Sequence, residues 1–550
     1  MTDPLRIIPL GGLGEIGRNM MVLECGEDLI VVDVGLMFPK EEMLGVDLVI
    51  PDFSYLRDKQ DRIRAVFLTH GHEDHVGALP YFLREFTVPL YGAKLTNGLI
   101  RVKLKEHRLL NQTSLNEVRP GEVIQAGCFE VEYFSVAHSI PDACGLIIKT
   151  PVGTVVHTGD FKIDHTPVME QHTDLTRLGQ VGADGCLLLL ADSTYAEQDG
   201  FTPSEELVGD AIRSILVNAE GRVIIATFAS LISRIQQVVD AADFTNRKVF
   251  VTGRSMIDNV AMARQLGYLD VPDGLIVGVE EMRKTPEHDL VVVTTGSQGE
   301  PTSALTRMAN GDHRHITIQD GDTVVLSATP IPGNEQAVFR NVDNLFRLGA
   351  EVLYNRVANV HVRGHASREE LKIMQSVLQP EYFVPVHGEY RHLVVHSHLA
   401  ESVGVPEGNA FVLTDGDVLE LDDNGAHLKD RVPASYVYVD GLGIGDVNQH
   451  MLRDRAHLAG DGFVVVFATV DKQTGHLAAP PEMLSRGFID LNDREELLES
   501  TRDVVAKSLA GEDHYAEIGD INARVRDALS KFLYDETRRR PMVLTVTVEV

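Results

Sequence analysis

The run Thr69-His70-Gly71-His72-Glu73-Asp74-His75 constrains what this chain can fold into more than any other feature. It sets the imidazoles of His70, His72 and His75 and the carboxylate of Asp74 close together, directly behind the apolar stretch Ala65-Val66-Phe67-Leu68. If strand alternation continues through Thr69 to His72, His70 and His72 are aimed the same way. Asp74 and His75 then open the following helix and reach a second point nearby. One divalent ion is expected on His70 and His72, and another on Asp74 and His75. The fold must therefore bring a strand end and a helix start to an edge that further ligands can reach.

Candidates for those ligands share one placement, at or just beyond a strand end. His138 follows 129–137, Asp160 follows 154–158, and His387 follows 382–386 within Pro385-Val386-His387-Gly388-Glu389. Each of them alone reads as a surface or core residue; with the cluster they complete two coordination shells. Thiolate ligation is not expected. Cys25, Cys128, Cys144 and Cys186 lack CxxC spacing and read as reduced, mostly buried thiols.

A chain of 550 residues exceeds one hydrophobic core. Short β-branched runs at 29–34, 65–68, 129–136, 154–157 and 186–190 predict strands, and 76–86 predicts a helix. From 206 to 360 strand and helix alternate: 222–228 then 231–242, 248–252 then 257–266, 291–295 then 303–309, 323–327 then 334–348. That rhythm predicts a parallel sheet, a Rossmann-like domain inserted between residues 1–205 and 361–430 of an α/β core. Its Gly- and Ser-rich turns, at 252–255 and 296–301, offer backbone N–H groups to anions, as such sheets commonly do. Residues 431–460, around Asp440-Gly441-Leu442-Gly443, read as a linker. Strands at 462–470 and 543–550 and helices near 493–510 and 517–534 predict a small α/β domain over 461–550.

The formal net charge of −31 argues against a protein that coats nucleic acid by bulk electrostatics. A polyanionic substrate would need local positive charge from metal ions and a few Arg and Lys side chains. The densest basic run, 101–108, reads as a solvated face, with an RNA track as the alternative. No apolar run approaches the roughly 20 residues that span a bilayer, so no membrane partner is expected. The N-terminus shows no basic flank followed by an apolar stretch, and a cytoplasmic location is the default expectation.

With these residues in place, the chain resembles the metallo-β-lactamase superfamily and, within it, the β-CASP nucleases, nearest to the ribonuclease J family. The resemblance covers nearly the whole length. It runs through Gly11-Gly12-Leu13-Gly14-Glu15-Ile16-Gly17, Asp33 in Val31-Val32-Asp33-Val34-Gly35, and His138-Ser139-Ile140-Pro141-Asp142. It continues through His157-Thr158-Gly159-Asp160-Phe161-Lys162, Ala191-Asp192-Ser193-Thr194 and Gly364-His365-Ala366-Ser367 to the His387 segment. It implies an αββα metallo-β-lactamase sandwich with an inserted Rossmann-like β-CASP domain and a small C-terminal α/β domain. It also implies that His70, His72 and His138 hold a first ion, that Asp74, His75 and His387 hold a second, and that Asp160 bridges them. Asp33 orients ligands from behind, and Asp192 supports the centre. Zinc and manganese suit these ligands alike.

The implied activity is hydrolysis of RNA phosphodiesters in rRNA processing and mRNA decay. It would run as a 5′-to-3′ exonuclease preferring 5′-monophosphate ends, with endonuclease action left open. His365 would contact the scissile phosphate or protonate the leaving oxygen, unless it is a structural or helix-capping histidine. His361, Val362, Arg363, Gly364 and His365, with Ser230 and Ser233, would frame a phosphate pocket. Two positions depart from the family's usual pattern: Arg363 stands where a small residue is common, and Leu231 where an Asn is common. A calcium site at Gly45, Asp47 and Asp440 is implied too, with turn-forming aspartates as the alternative reading. A homodimer or homotetramer assembled through the C-terminal domain, and other RNA-decay proteins, are the implied partners. Three competing readings remain: a DNA-processing nuclease of the same branch, a small-molecule hydrolase, and a non-catalytic scaffold of an RNA-decay complex.

Overall fold

Runs of Val and Ile too short to pay the nucleation cost of a helix pair instead as strands. In the computed structural model, which describes residues 3–169, 171–331, 334–472, 476–489, 495–510 and 518–550, they build two units. The first comprises the chain up to Phe38 and Leu48–Val437; the second comprises Pro39–Asp47 and Tyr438–Val550.

The first unit contains two mixed sheets. An eight-stranded sheet runs in the order Gly425–Lys429, Val418–Asp422, Leu5–Gly11, Met20–Cys25, Asp28–Val32, Ile63–Phe67, Leu90–Gly92, Leu115–Glu117. A six-stranded sheet runs Tyr382–Val386, Leu188–Asp192, Thr154–His157, Cys144–Lys149, Phe129–Ser135, Val123–Ala126. Their inner faces share one apolar layer, in which Leu23, Ile30 and Phe67 of the first meet Tyr133, Leu146 and Leu190 of the second. The other face of the second sheet is covered by helices Leu175–Asp184, Arg368–Leu378 and Tyr390–Ser402 through Leu178, Leu371 and Leu399. Helices outside two facing sheets make the expected sandwich.

The inserted domain is a parallel six-stranded sheet in the order Ile276–Val277, Lys248–Thr252, Leu290–Thr294, Val223–Ala226, Thr323–Leu326, Glu351–Tyr354. Val223, Ile224, Ile225 and Ala226 are all buried, as a strand covered by helices on both faces requires. The second unit centres on Phe463–Val470, antiparallel to Glu482–Arg486 and parallel to Met542–Glu549. Helices Glu495–Ser508 and Ile518–Thr537 pack on it through Val505, Val525 and Leu529. Residues 493–494 and 517 of the expected helices lie outside the described residues. Among the described residues no helix is long and apolar enough to cross a membrane.

Three local expectations are corrected. Residues 76–86 form no single helix but follow the one-turn helices Glu73–Val76 and Leu79–Phe82. The Ala78 N–H leaves the helical ladder for the Val34 carbonyl at 3.0 Å, and Pro80 has no N–H to offer. The strand before the histidine cluster ends at Phe67, so His70 and His72 lie in a loop rather than on an alternating strand. Residues 431–460 are more than a linker: they carry strands Val437–Asp440 and Gly443–Ile444 and begin the helix Gln449–Asp461.

Candidate metal centre

Register brings the distant residues together. Parallel pairing sets Asp192 opposite Val386, so His387 is the next residue past the strand end. On the other side His157 pairs with Leu190, so Asp160 leaves from the same sheet edge. The Asp160 loop is stitched beside His138 by the Lys162 N–H donating to the Ala137 carbonyl at 2.8 Å. The histidine loop is pinned by the Cys144 N–H donating to the Thr69 carbonyl at 2.9 Å. Val34 and Leu36 donate their N–H groups to the His75 and Glu73 carbonyls at 2.8 and 3.0 Å. Gly35 is required there, because a Cβ would sit 1.6 Å from the Asp74 carbonyl oxygen.

Five rings, those of His70, His75, His138, His365 and His387, have Nδ1 tied to a neighbour, which turns Nε2 toward the centre. His138 Nδ1 donates to the Gly364 carbonyl at 2.7 Å, and His75 Nδ1 to Asp33 Oδ2 at 2.8 Å. His387 Nδ1 donates to Asp160 Oδ1 at 2.8 Å, and His365 Nδ1 to Asp192 Oδ2 at 2.7 Å. The Thr69 hydroxyl donates to Asp33 Oδ2 at 2.7 Å, so toward His70 Nδ1, 3.1 Å away, it accepts.

The ring nitrogens facing the centre converge on two points. His72 Nδ1 lies 3.0 Å from His70 Nε2 and 3.2 Å from His138 Nε2, a three-imidazole pocket. Asp74, His75, Asp160 and His387 form a second group whose ligand atoms all lie within 4.8 Å of one another. Asp160 Oδ2 faces both, 3.6 Å from His70 Nε2 and 3.1 Å from His75 Nε2. His387 Nε2 is buried with no hydrogen-bond partner. It lies 3.4 Å from Asp74 Oδ2, and a buried ring nitrogen held against a carboxylate without a hydrogen bond is costly unless a cation lies between them, so the set fits metal. A cavity of about 20 Å³ lies among Asn19, Asp33, His75, His157, Asp160 and His387, room for water-sized occupants.

The electrostatics agree. Burial drives His72 down to about 4 and His70 and His138 well below the usual imidazole range, keeping them neutral, the ligating form. Burial also opposes charge on His387, but Asp160 outweighs it and raises the ring to about 10. His75 is raised in the same way by Asp160, Asp74 and Asp33. Against burial, His387 and His75 hold Asp160 well below the carboxylate range. In this structure the protons on those two rings answer a field of buried carboxylates that a cation would answer when bound.

The sequence-derived supporting residues are also placed. Asp33, in a left-handed conformation at φ +59°, accepts from the Thr69 N–H at 2.8 Å, from the Thr69 hydroxyl and from His75. His387 is left-handed as well, at φ +51°. Asp192 Oδ1 is held by the Thr194 N–H and hydroxyl at 3.0 and 2.7 Å. His365 joins Asp160, Asp192 and His387 in a third compact group.

The expected phosphate frame is less uniform. His361 Nδ1 is buried without a partner, and Arg363 lies 4.7 Å over the Tyr195 ring. Val362 buries its side chain, so it offers only backbone, and the Ser233 hydroxyl already donates to the Ser139 carbonyl at 3.2 Å. Ser230 is half-buried at the turn before Ile232–Phe244. In the basic run, Lys103 pairs with Glu73 while Arg101, Lys105 and Arg108 are exposed.

Three contributors escape a reading of the chain alone. Asn19 reaches His75 Nε2 and the Asp74 carbonyl, each at 3.1 Å. Tyr195 has its ring 5.8 Å from His365. Arg234, fully buried, donates to Glu205, Gln237, Ser327 and the Val360 carbonyl beside His361. Only Asn19 left a signal, as a polar residue within an apolar, Gly-rich run.

Fold and site together define a metal-dependent hydrolase of the metallo-β-lactamase superfamily, β-CASP branch. Residues 13–182 match the metallo-beta-lactamase superfamily model, and 350–412 match a Zn-dependent metallo-hydrolase RNA specificity domain. Residues 220–345 match the ribonuclease J beta-CASP domain, and 450–550 the ribonuclease J C-terminal domain. Ribonuclease J2 of Bacillus subtilis is 44% identical over 551 residues, covering 100% of this chain and 99% of that one. Ribonuclease J of Thermus thermophilus is 43% identical over 555 residues, covering 100% and 96%. The chain belongs to the ribonuclease J family. A solved protein of unknown function from Enterococcus faecalis V583 superposes with a TM-score of 0.56, covering 76% of this chain and 100% of that chain. At 18% identity it speaks to the fold alone.

Proposed function

We propose that this chain is a metal-dependent ribonuclease that uses two divalent ions, zinc or manganese, to hydrolyse phosphodiester bonds of RNA. The observation that carries this reading is the convergence of seven side chains, His70, His72, Asp74, His75, His138, Asp160 and His387, on two adjacent points. Family membership supplies the substrate class. When bound, the ions lower the pKa of water and neutralise charge on the phosphoryl oxygens.

The chain's own residues do the rest. Asp33, Asn19 and the Gly364 carbonyl fix ring orientation and tautomer before anything binds. His365 has its Nδ1 proton committed to Asp192, which turns Nε2 into the atom that can serve a phosphate oxygen. Burial lowers that ring, but Asp192 and Asp160 outweigh it and raise the pKa above the usual imidazole value. The shift favours the protonated ring, from which Nε2 can donate to a non-bridging oxygen or the leaving oxygen. Arg363 makes no ion pair among the described residues, so its charge is available to a phosphate next to His365.

On this basis the enzyme degrades RNA from the 5′ end, prefers a 5′-monophosphate, and acts in rRNA maturation and mRNA decay in the cytoplasm as a homodimer or homotetramer. Digestion of matched RNA and DNA bearing 5′-monophosphate, triphosphate or hydroxyl ends, with zinc or manganese supplied separately, tests the reading. Mononucleotide release from monophosphorylated RNA is expected; equal digestion of DNA would overturn the substrate assignment. H365A should lose roughly 10²–10⁴-fold in turnover with metal content unchanged, and near-normal cleavage would remove His365 from its role.

A further inference from the structure

The second unit meets the calcium ligands implied by resemblance with a different cation. Arg455, on the helix Gln449–Asp461, extends its guanidinium between the segment Pro39–Asp47 and the strand Val437–Asp440. Nη1 donates to the Leu44 carbonyl at 3.0 Å, and Nη2 donates to Asp440 Oδ2 at 2.5 Å. Gly45, at φ +74°, forms a cradle that this group fills, since a Cβ there would lie 2.8 Å from Arg455 Nη1. Asp47 is engaged elsewhere: its Oδ2 accepts the Gly441 N–H at 2.7 Å, and its own N–H donates to the Val439 carbonyl at 2.9 Å.

Calcium wants six to eight oxygens around a spherical ion. Here Asp440 already faces a positive charge, Asp47 holds the Gly441 N–H on one oxygen, and a divalent ion would have to sit against a guanidinium. The residues do not fit calcium. A planar guanidinium, by contrast, can serve a carbonyl and a carboxylate with two divergent N–H groups.

We infer that Arg455 is the resident cation at this position: it staples Pro39–Asp47 to the strand carrying Asp440, and the chain takes no calcium there. The consequence is a metal-independent junction. An arginine stays charged across the working pH range, whereas a calcium site of this kind fills only when free calcium is high.

Two measurements on the full-length, metal-loaded enzyme test this. Equilibrium dialysis against calcium up to about 1 mM, the weak end of protein calcium sites, is run on wild type and D440N. Uptake that is absent, or present but indifferent to D440N, agrees with the inference. Uptake of one calcium per chain that D440N abolishes overturns it. Thermal unfolding of R455M and R455K, with and without calcium, is the second. R455M should lower the melting temperature of the C-terminal unit by roughly 3–8 °C, R455K by less, and calcium should leave wild type unmoved. If R455M melts like wild type, the staple is refuted, and if R455M fails to fold, R455K and the dialysis still decide.

Discussion

Replacing Asp33 by Asn tests how far the centre depends on a residue that is not itself a metal ligand. Asp33 is 2% exposed and accepts three hydrogen bonds, from the Thr69 N–H, the Thr69 hydroxyl and His75 Nδ1. Asn keeps the shape and tolerates the left-handed backbone, and its oxygen can still accept from the Thr69 N–H. Its amide group, however, would present N–H to His75 Nδ1, where a carboxylate oxygen now accepts. To avoid two donors facing each other, His75 must shift its proton to Nε2, the atom 3.1 Å from Asp160. The lone pair aimed at the second ion is then lost. A hydrogen bond to a charged group contributes about 1.5–3 kcal/mol, and loss of an outer partner of a metal-binding histidine costs about 10–100-fold in affinity. At ~1.4 kcal/mol per tenfold, these two estimates agree. Competition with a chromophoric chelator should show one ion weakened by about 10–100-fold and the other nearly unchanged, with activity recovering at saturating metal. Wild-type affinity for both ions in a folded D33N protein would refute the reasoning.

Further predictions follow from single contacts. In G364A the new Cβ would come 2.8 Å from His138 Cε1 and 2.9 Å from the Ser139 side chain. His138 must retreat, and the three-imidazole pocket should lose metal, read by metal analysis after gel filtration. R363M should raise KM for RNA more than it lowers kcat and reduce the salt slope of binding by about 1; an unchanged slope would leave Arg363 without a phosphate. Glu24 is buried, which raises its pKa, but Tyr55, Lys59 and Arg62 outweigh this and hold it below the ordinary 4.5. A depressed folded pKa stabilises above the unfolded value and is lost as pH falls through the folded one. E24Q should therefore flatten acid unfolding below about pH 4.5 and lower stability at neutral pH, measured by denaturant midpoints across pH.

What the sequence determined by itself is what local chemistry can state. The spacing of His70, His72, Asp74 and His75 points to a metal once His138, Asp160 and His387 are read with it, because nitrogen and oxygen ligands in that number complete two coordination shells. The alternation of strand and helix from 206 to 360 demands a parallel sheet, because crossovers need helices. Other features exist only through tertiary contact. The break in the 76–86 helix depends on the Val34 carbonyl capturing an N–H from a neighbouring loop. Asn19 becomes part of the centre only because the Gly35 backbone lies against the Asp74 carbonyl. Arg455 reaches the Leu44 carbonyl and Asp440 only because a helix lays its side chain between them. Ligand types are legible in the chain because donor chemistry belongs to the side chain. Which group occupies a given few ångströms is decided by packing, and packing is settled by residues hundreds of positions apart.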